Sequence, residues 1–132
     1  MPRKLPALTD DTRAFWQGGE VGELRIHRCQ ACERYFHPPA PICRHCASFE
    51  VAPTAVSGRG TVVTSTINHQ AWNPELTAPY VVAIVELEEQ AGLRFLSNIV
   101  NCPPEEVHTG MPVTVTFEQN DDVWIPLFER RV

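Results

Sequence analysis

Four of the five cysteines stand in two pairs, Cys29 with Cys32 and Cys43 with Cys46; two residues separate the members of each pair and ten separate the pairs. Each pair can sit on one tight turn whose backbone amides point at the sulfurs. Two such turns supply four thiolates in the tetrahedral arrangement that zinc prefers. The spacing therefore predicts a zinc-ribbon site. A rubredoxin-type iron site uses the same two pairs, but nothing else in the chain suggests electron transfer. Two disulfides fit poorly with a reducing compartment. Four sulfurs leave no coordination position for water, so the expected Zn2+ is structural. It folds a segment of about thirty residues that is too short to bury a core of its own, with a binding free energy of about 10–16 kcal/mol. His27, His37 and His45 are read as neighbours of the site, not ligands. Cys102 stands alone beside Pro103 and reads as a packed thiol, not a nucleophile.

No other group of residues makes a catalytic set. Ser57, Ser65 and Ser97 lack the flanking glycines of a nucleophile elbow. Glu86, Glu88 and Glu89 cluster where a strand runs into a turn, which reads as a solvated edge. Ser57-Gly58-Arg59-Gly60 is too short for a phosphate loop. His69 and Trp72 fall in a loop between strands, where contact with a ligand or partner is the functional reading and loop packing the ordinary one.

The elements that must hold these residues are short. Thr9 to Gln17 reads as a helix capped by Thr9, with Asp10 and Asp11 in its first turn and Gly18 and Gly19 at its end. Phe15 and Trp16 form its bulky apolar face, which must dock on its own domain or on a partner. Glu23 to Arg28 alternates as a strand into the first cysteine pair. Pro38 to Pro41, with three prolines, is an extended loop. From Val51 the texture becomes rich in Val, Ile and Thr. Five strands are expected, at Thr61–Asn68, Tyr80–Leu87, Leu93–Val100, Val113–Glu118 and Val123–Phe128, with turns at Glu88–Gly92 and Asn120–Asp122. The fold class is mainly β: a short N-terminal helix over residues 1–22, a zinc ribbon over 23–52 and a small closed or partly closed five-stranded barrel over 53–132.

A hydrophobic fraction of 43% with 20% charged residues is the balance of a globular chain. No apolar run reaches the roughly eighteen residues of a membrane span, and the first ten residues lack the apolar core of a signal peptide, so the expected location is the cytoplasm. The net charge of -5 and an aromatic content of 8% weigh against a nucleic-acid groove, although Arg25, Arg28, Arg34 and Arg44 gather around the ribbon.

Taken in order, Phe15-Trp16, Gly22-Glu23-Leu24, the two cysteine pairs with prolines between them, Gly58-Arg59-Gly60-Thr61-Val62, Pro79-Tyr80-Val81-Val82-Ala83, Gly110-Met111-Pro112-Val113 and Pro126-Leu127-Phe128 resemble a zinc-ribbon/OB-fold family. That family was long labelled a domain of unknown function and accompanies acyl-CoA enzymes. The resemblance covers nearly the whole chain and is nearest to the OB-fold partner of a thiolase-fold steroid side-chain aldolase. It implies a non-catalytic subunit assembled with a thiolase-like protein, such as a sterol-carrier-type thiolase or an aldolase. Such a complex cleaves a 3-hydroxyacyl-CoA by a retro-aldol step, with the catalytic residues on the partner. Thiolase-like partners are typically dimers, which implies a hetero-oligomer of two plus two. Phe15, Trp16, His69 and Trp72 are the expected contacts with the partner or substrate. The alternatives are a free-standing acyl-CoA binder, for which Arg59 and Arg94 would meet the anionic nucleotide, and a nucleic-acid-binding module. The loop Asn68 to Ala78 departs from the glycine-containing form associated with the family.

Overall fold

The computed structural model describes residues 5–70 and 78–131. The first helix, α1 (Arg13–Gln17), is shorter than its sequence suggests. Thr9 does not cap it. Thr9 and Thr12 instead exchange hydrogen bonds, each backbone N–H donating to the other's hydroxyl at 3.1 and 3.2 Å. The turn closes with the Arg13 N–H on the Thr9 carbonyl at 2.9 Å. Asp10 and Asp11 therefore precede the helix. Gly18 and Gly19 do not stop the winding either; it continues as a 3-10 turn over Gly18–Val21 and ends at Gly22, whose φ of 75° is left-handed.

The ribbon is a three-stranded antiparallel sheet of β1 (Leu24–Cys29), β2 (Tyr35–Phe36) and β3 (Val51–Val56), with β1 in the middle. β3 pairs along all of β1, from Leu24 opposite Val56 to Cys29 opposite Val51. It crosses position 53, where the barrel region was expected to begin. Pro53 obscures this strand in the sequence, and it is tolerated because β3 is an edge of its sheet.

The five expected barrel strands are all present, as β4 (Arg59–Asn68), β5 (Tyr80–Leu87), β6 (Arg94–Val100), β7 (Pro112–Asn120) and β8 (Val123–Arg130). They close in the order β4-β5-β6-β8-β7, with β7 returning to β4. Closure removes the open edges that a five-stranded sheet would otherwise expose. The seam between β6 and β8 is the shortest, a parallel pairing of Ile99 with Phe128 and Val100 with Glu129. The β4–β5, β5–β6 and β7–β8 pairs join consecutive antiparallel strands, and β7 closes the barrel on β4. Asp121, at φ 55°, makes the two-residue turn between β7 and β8.

Strand alternation places the core. On β5, Val81, Ala83, Val85 and Leu87 point inward and are buried. Glycine is required where the chain enters the barrel. Gly58 has φ 79°, and a Cβ there would collide with Val115 Cγ1. The ribbon and helix share this core: Leu24 and Ile26 from β1 and Phe15 from α1 belong to the same buried cluster as Val62, Val113 and Phe128. Each such aliphatic side chain contributes about 1.5–3 kcal/mol by burial. Among the described residues, no helix is long and apolar enough to cross a membrane.

Candidate metal centre

The two cysteine turns are built on one plan. In the first, the Glu33 N–H donates to the Cys29 carbonyl at 2.8 Å and the Cys29 N–H to the Arg34 carbonyl at 2.9 Å. In the second, the Ala47 N–H donates to the Cys43 carbonyl at 3.0 Å and the Cys43 N–H to the Ser48 carbonyl at 2.9 Å. Each turn reverses through a left-handed residue four places after its first cysteine, Glu33 at φ 66° and Ala47 at φ 62°. Neither is glycine or asparagine, so the sequence carries no local signal for this conformation. The amides then aim at sulfur: Cys32 N–H donates to Cys29 Sγ at 3.4 Å and His45 N–H to Cys43 Sγ at 3.3 Å. The Gln30 N–H reaches the Glu50 carbonyl at 2.7 Å and ties the first turn to the chain leaving the second.

The result is a cage. All four Sγ atoms lie within 4.8 Å of one another. Cys29 Sγ is 3.6 Å from Cys46 Sγ, and Cys32 Sγ is 3.6 Å from Cys43 Sγ. A tetrahedron with zinc–sulfur bonds of about 2.3 Å has edges of about 3.8 Å, so the spacing fits zinc. It is far too long for a disulfide. Cys29 and Cys43 are buried, while Cys46 faces solvent. The electrostatics also call for a cation. The Cys32 amide holds the Cys29 thiol down to about 6. At Cys46 the pull of the Ser48 amide is outweighed by neighbouring sulfurs, Cys29 foremost, and by burial, and the thiol is pushed up to about 12. Four thiolates at this separation need a positive charge between them. Cys29, Cys32, Cys43 and Cys46 are thus positioned to bind a zinc ion, and with all four sulfurs engaged the ion keeps no open position. Bound zinc supplies folding energy to the ribbon, and the backbone amides orient the sulfurs that hold it.

The histidines near the cage stay outside it. His27 is buried on β1 and packs its ring 5.8 Å from Phe36. His37 lies between Phe15 and Phe95, with ring centroids at 4.9 and 5.4 Å. Burial, with help from Arg44 and His27, lowers the His37 pKa to about 4. Cys102 packs partly against the core.

The remaining singled-out residues do not converge on one place. Phe15 is 5% exposed and sits in the chain's own core, edge-on to Trp16 at 4.8 Å. Trp16 is half-buried and His69 is exposed, just past the end of β4. Arg59 grips Glu88 Oε1 through Nη2 at 2.7 Å and Nε at 3.0 Å. Arg94 holds Glu86 at 2.8 Å. These pairs alternate along the end of the barrel opposite His69, and Glu89 accepts the Ser57 N–H at 2.7 Å. The acidic cluster is therefore engaged by these arginines and by backbone. Trp72 lies outside the described residues.

Two family models match the chain in tandem. One is described as the rubredoxin-like zinc ribbon domain of ChsH2, over residues 16–52, and the other as the ChsH2 C-terminal OB-fold domain, over residues 53–118. A protein of Thermomonospora curvata named probable enoyl-CoA hydratase alpha subunit is 35% identical over 131 residues, which are 98% of this chain and 40% of that protein. The chain thus spans about two fifths of that relative's length. A solved chain described as Ltp2-ChsH2(DUF35) aldolase superposes with a TM-score of 0.87 at 34% identity, covering 97% of this chain and all of that one. A DUF35 domain-containing scaffold protein of Methanocaldococcus jannaschii is 41% identical over 101 residues, 72% of this chain and 70% of its own length. With a zinc-ribbon model and an OB-fold model matched in tandem and 41% identity to a DUF35 protein over 70% of its length, the chain belongs to the DUF35 family.

Proposed function

We propose that this chain is a non-catalytic subunit that assembles with a thiolase-like acyl-CoA enzyme, an aldolase that cleaves a 3-hydroxyacyl-CoA by a retro-aldol step, of the kind formed in steroid side-chain degradation. The observation that carries the reading is the likeness over 97% of its length to a chain of the Ltp2-ChsH2 aldolase. The site chemistry supports it. A cage of four sulfurs holds a structural ion, and the Ser97 hydroxyl donates to the Pro126 carbonyl at 2.9 Å, not to a base. The nucleophile and base then stand on the partner, and this subunit supports its fold and its thioester site. The half-buried Trp16 and the exposed His69 are the contacts we assign to that assembly. Arg59 and Arg94 are each committed to a glutamate, which counts against a free-standing binder that holds the CoA nucleotide through them.

The test is co-expression with a thiolase-like protein encoded beside this one. The two are expected to elute together, and the partner alone to lose most of its lyase activity. Separate elution, with a partner fully active by itself, sinks the proposal.

A further inference from the structure

The four cysteines of the cage are not equivalent. Cys29 and Cys43 are buried and Cys32 is half-buried, while Cys46 is exposed, within an exposed run from Arg44 to Ala47. Backbone donors divide the sulfurs in a second way. The Cys29 sulfur takes the amides of Cys32 and Ala31, and the Cys43 sulfur those of Cys46 and His45. Cys32 and Cys46 take one amide each, from Arg34 and Ser48. An N–H aimed at a thiolate draws electron density from the sulfur and weakens it as a nucleophile. Cys46 is therefore the member of the cage that combines access with few donors.

Its neighbour across the cage is Cys29, with the two sulfurs 3.6 Å apart. A small shift of one metal turn against the other brings them to the S–S bond length of about 2.0 Å. The other close pair, Cys32 and Cys43, has the same separation but no exposed member. Cys102 stands outside the cage, with its sulfur on the Pro103 carbonyl at 3.6 Å.

We infer that Cys46 is an oxidation site for hydrogen peroxide, with Cys29 as its resolving thiol, so that peroxide opens the cage and releases the ion. The Cys46 thiolate attacks one peroxide oxygen. The O–O bond breaks, a sulfenic acid forms, and the departing hydroxide takes a proton from solvent. The Cys29 thiolate then attacks the Cys46 sulfur. The S–S bond forms, the S–O bond breaks, and a second hydroxide leaves and takes a proton. Two thiolates thus give two electrons to the peroxide, which becomes two waters. The two sulfurs left over are too few to hold the ion. Cys29 ends the strand that carries Leu24 and Ile26 into the shared core, so the barrel is loosened as well. The inference rests on the cage alone and is independent of the proposed partner.

The test treats the zinc-loaded full chain, and a Cys102→Ser variant beside it, with hydrogen peroxide. Released zinc is read with a chromogenic chelator. The linked cysteines are read by mass spectrometry of a tryptic digest made without reductant. Cleavage after Arg28, Arg34, Arg44 and Arg59 places Cys43 and Cys46 on separate peptides, both apart from the one that carries Cys29 and Cys32. Expected are one zinc released per disulfide, the Cys46 peptide joined to Cys29, and a dimedone-trapped sulfenic acid at Cys46. Cys102→Ser is expected to lose zinc at the wild-type rate, and dithiothreitol with added zinc to restore the metal. Zinc retained at peroxide concentrations that oxidise Cys102 overturns the inference. So does a first disulfide that leaves out Cys46, or a first sulfenic acid on another cysteine of the cage.

Discussion

Cys29 closes β1 and opens the first metal turn, so its sulfur serves both strand and cage. Replacing Cys29 with serine removes a ligand whose site is worth about 10–16 kcal/mol in total. The expected outcome is loss of the bound zinc, measured as metal content per chain, together with a large fall in melting temperature. Cys102→Ser is the control: it retains zinc and shifts stability by about 1 kcal/mol or less. A Cys29→Ser protein that keeps full zinc occupancy contradicts the assignment. His37 carries a second consequence at this scale. Its folded pKa of about 4 lies below the ordinary histidine value of about 6.5, chiefly because burial disfavours the charged ring. The neutral ring's contribution is thus complete above pH 6.5 and is lost as pH falls from there toward 4. Between pH 7.5 and 5.5 that loss is about 1 kcal/mol. Urea unfolding of the wild-type chain and of His37→Phe at both pH values measures it; the variant should lack this increment, and equal pH slopes would refute it.

Between elements, the joint of ribbon and barrel depends on a turn. Gln90, between β5 and β6, accepts the Tyr35 N–H at 2.8 Å and returns a bond from its amide to the Tyr35 carbonyl at 3.0 Å. One side chain thus mimics a neighbouring strand for the short β2. The sequence marks Glu88–Gly92 as a turn and says nothing of this clamp, because its two ends are 55 positions apart. Gln90→Ala leaves both backbone groups of Tyr35 without that partner and is expected to cost about 1–2 kcal/mol by chemical denaturation. Faster amide exchange at Tyr35 than in the wild type would accompany it. An unchanged exchange rate there argues against the clamp.

For the whole molecule, a single core spans both halves. Leu24 and Ile26 lie on the strand that ends at Cys29, yet they pack with Val62, Val85 and Phe128 of the barrel. Losing the metal therefore loosens part of the barrel's own packing. The zinc-loaded chain is expected to unfold in one calorimetric transition, with equal calorimetric and van't Hoff enthalpies. A strong chelator should lower the stability of the barrel as well as that of the ribbon. Two separate transitions, with the later one insensitive to chelation, would show that ribbon and barrel are energetically independent.

The sequence by itself determined what depends on local pattern and donor chemistry. Four cysteines at that spacing specify the metal site, because ligand type and count set the coordination. Alternation of Val, Ile and Thr specifies the five barrel strands, because side chains along a strand must face opposite ways. Tertiary structure decided what depends on distant partners. It made Val51–Val56 a strand of the ribbon sheet despite Pro53, bent Glu33 and Ala47 into left-handed turns without glycine, and shortened the helix that Thr9 was expected to cap. It buried Phe15, bound Arg59 and Arg94 to glutamates, and opened a cavity beside His37. For the third ribbon strand, the burial of Phe15 and the cavity, the deciding energy comes from pairing and packing between segments far apart in the chain; the metal turns and the Thr9–Thr12 turn are closed by hydrogen bonds within a few residues that residue-type preference does not record.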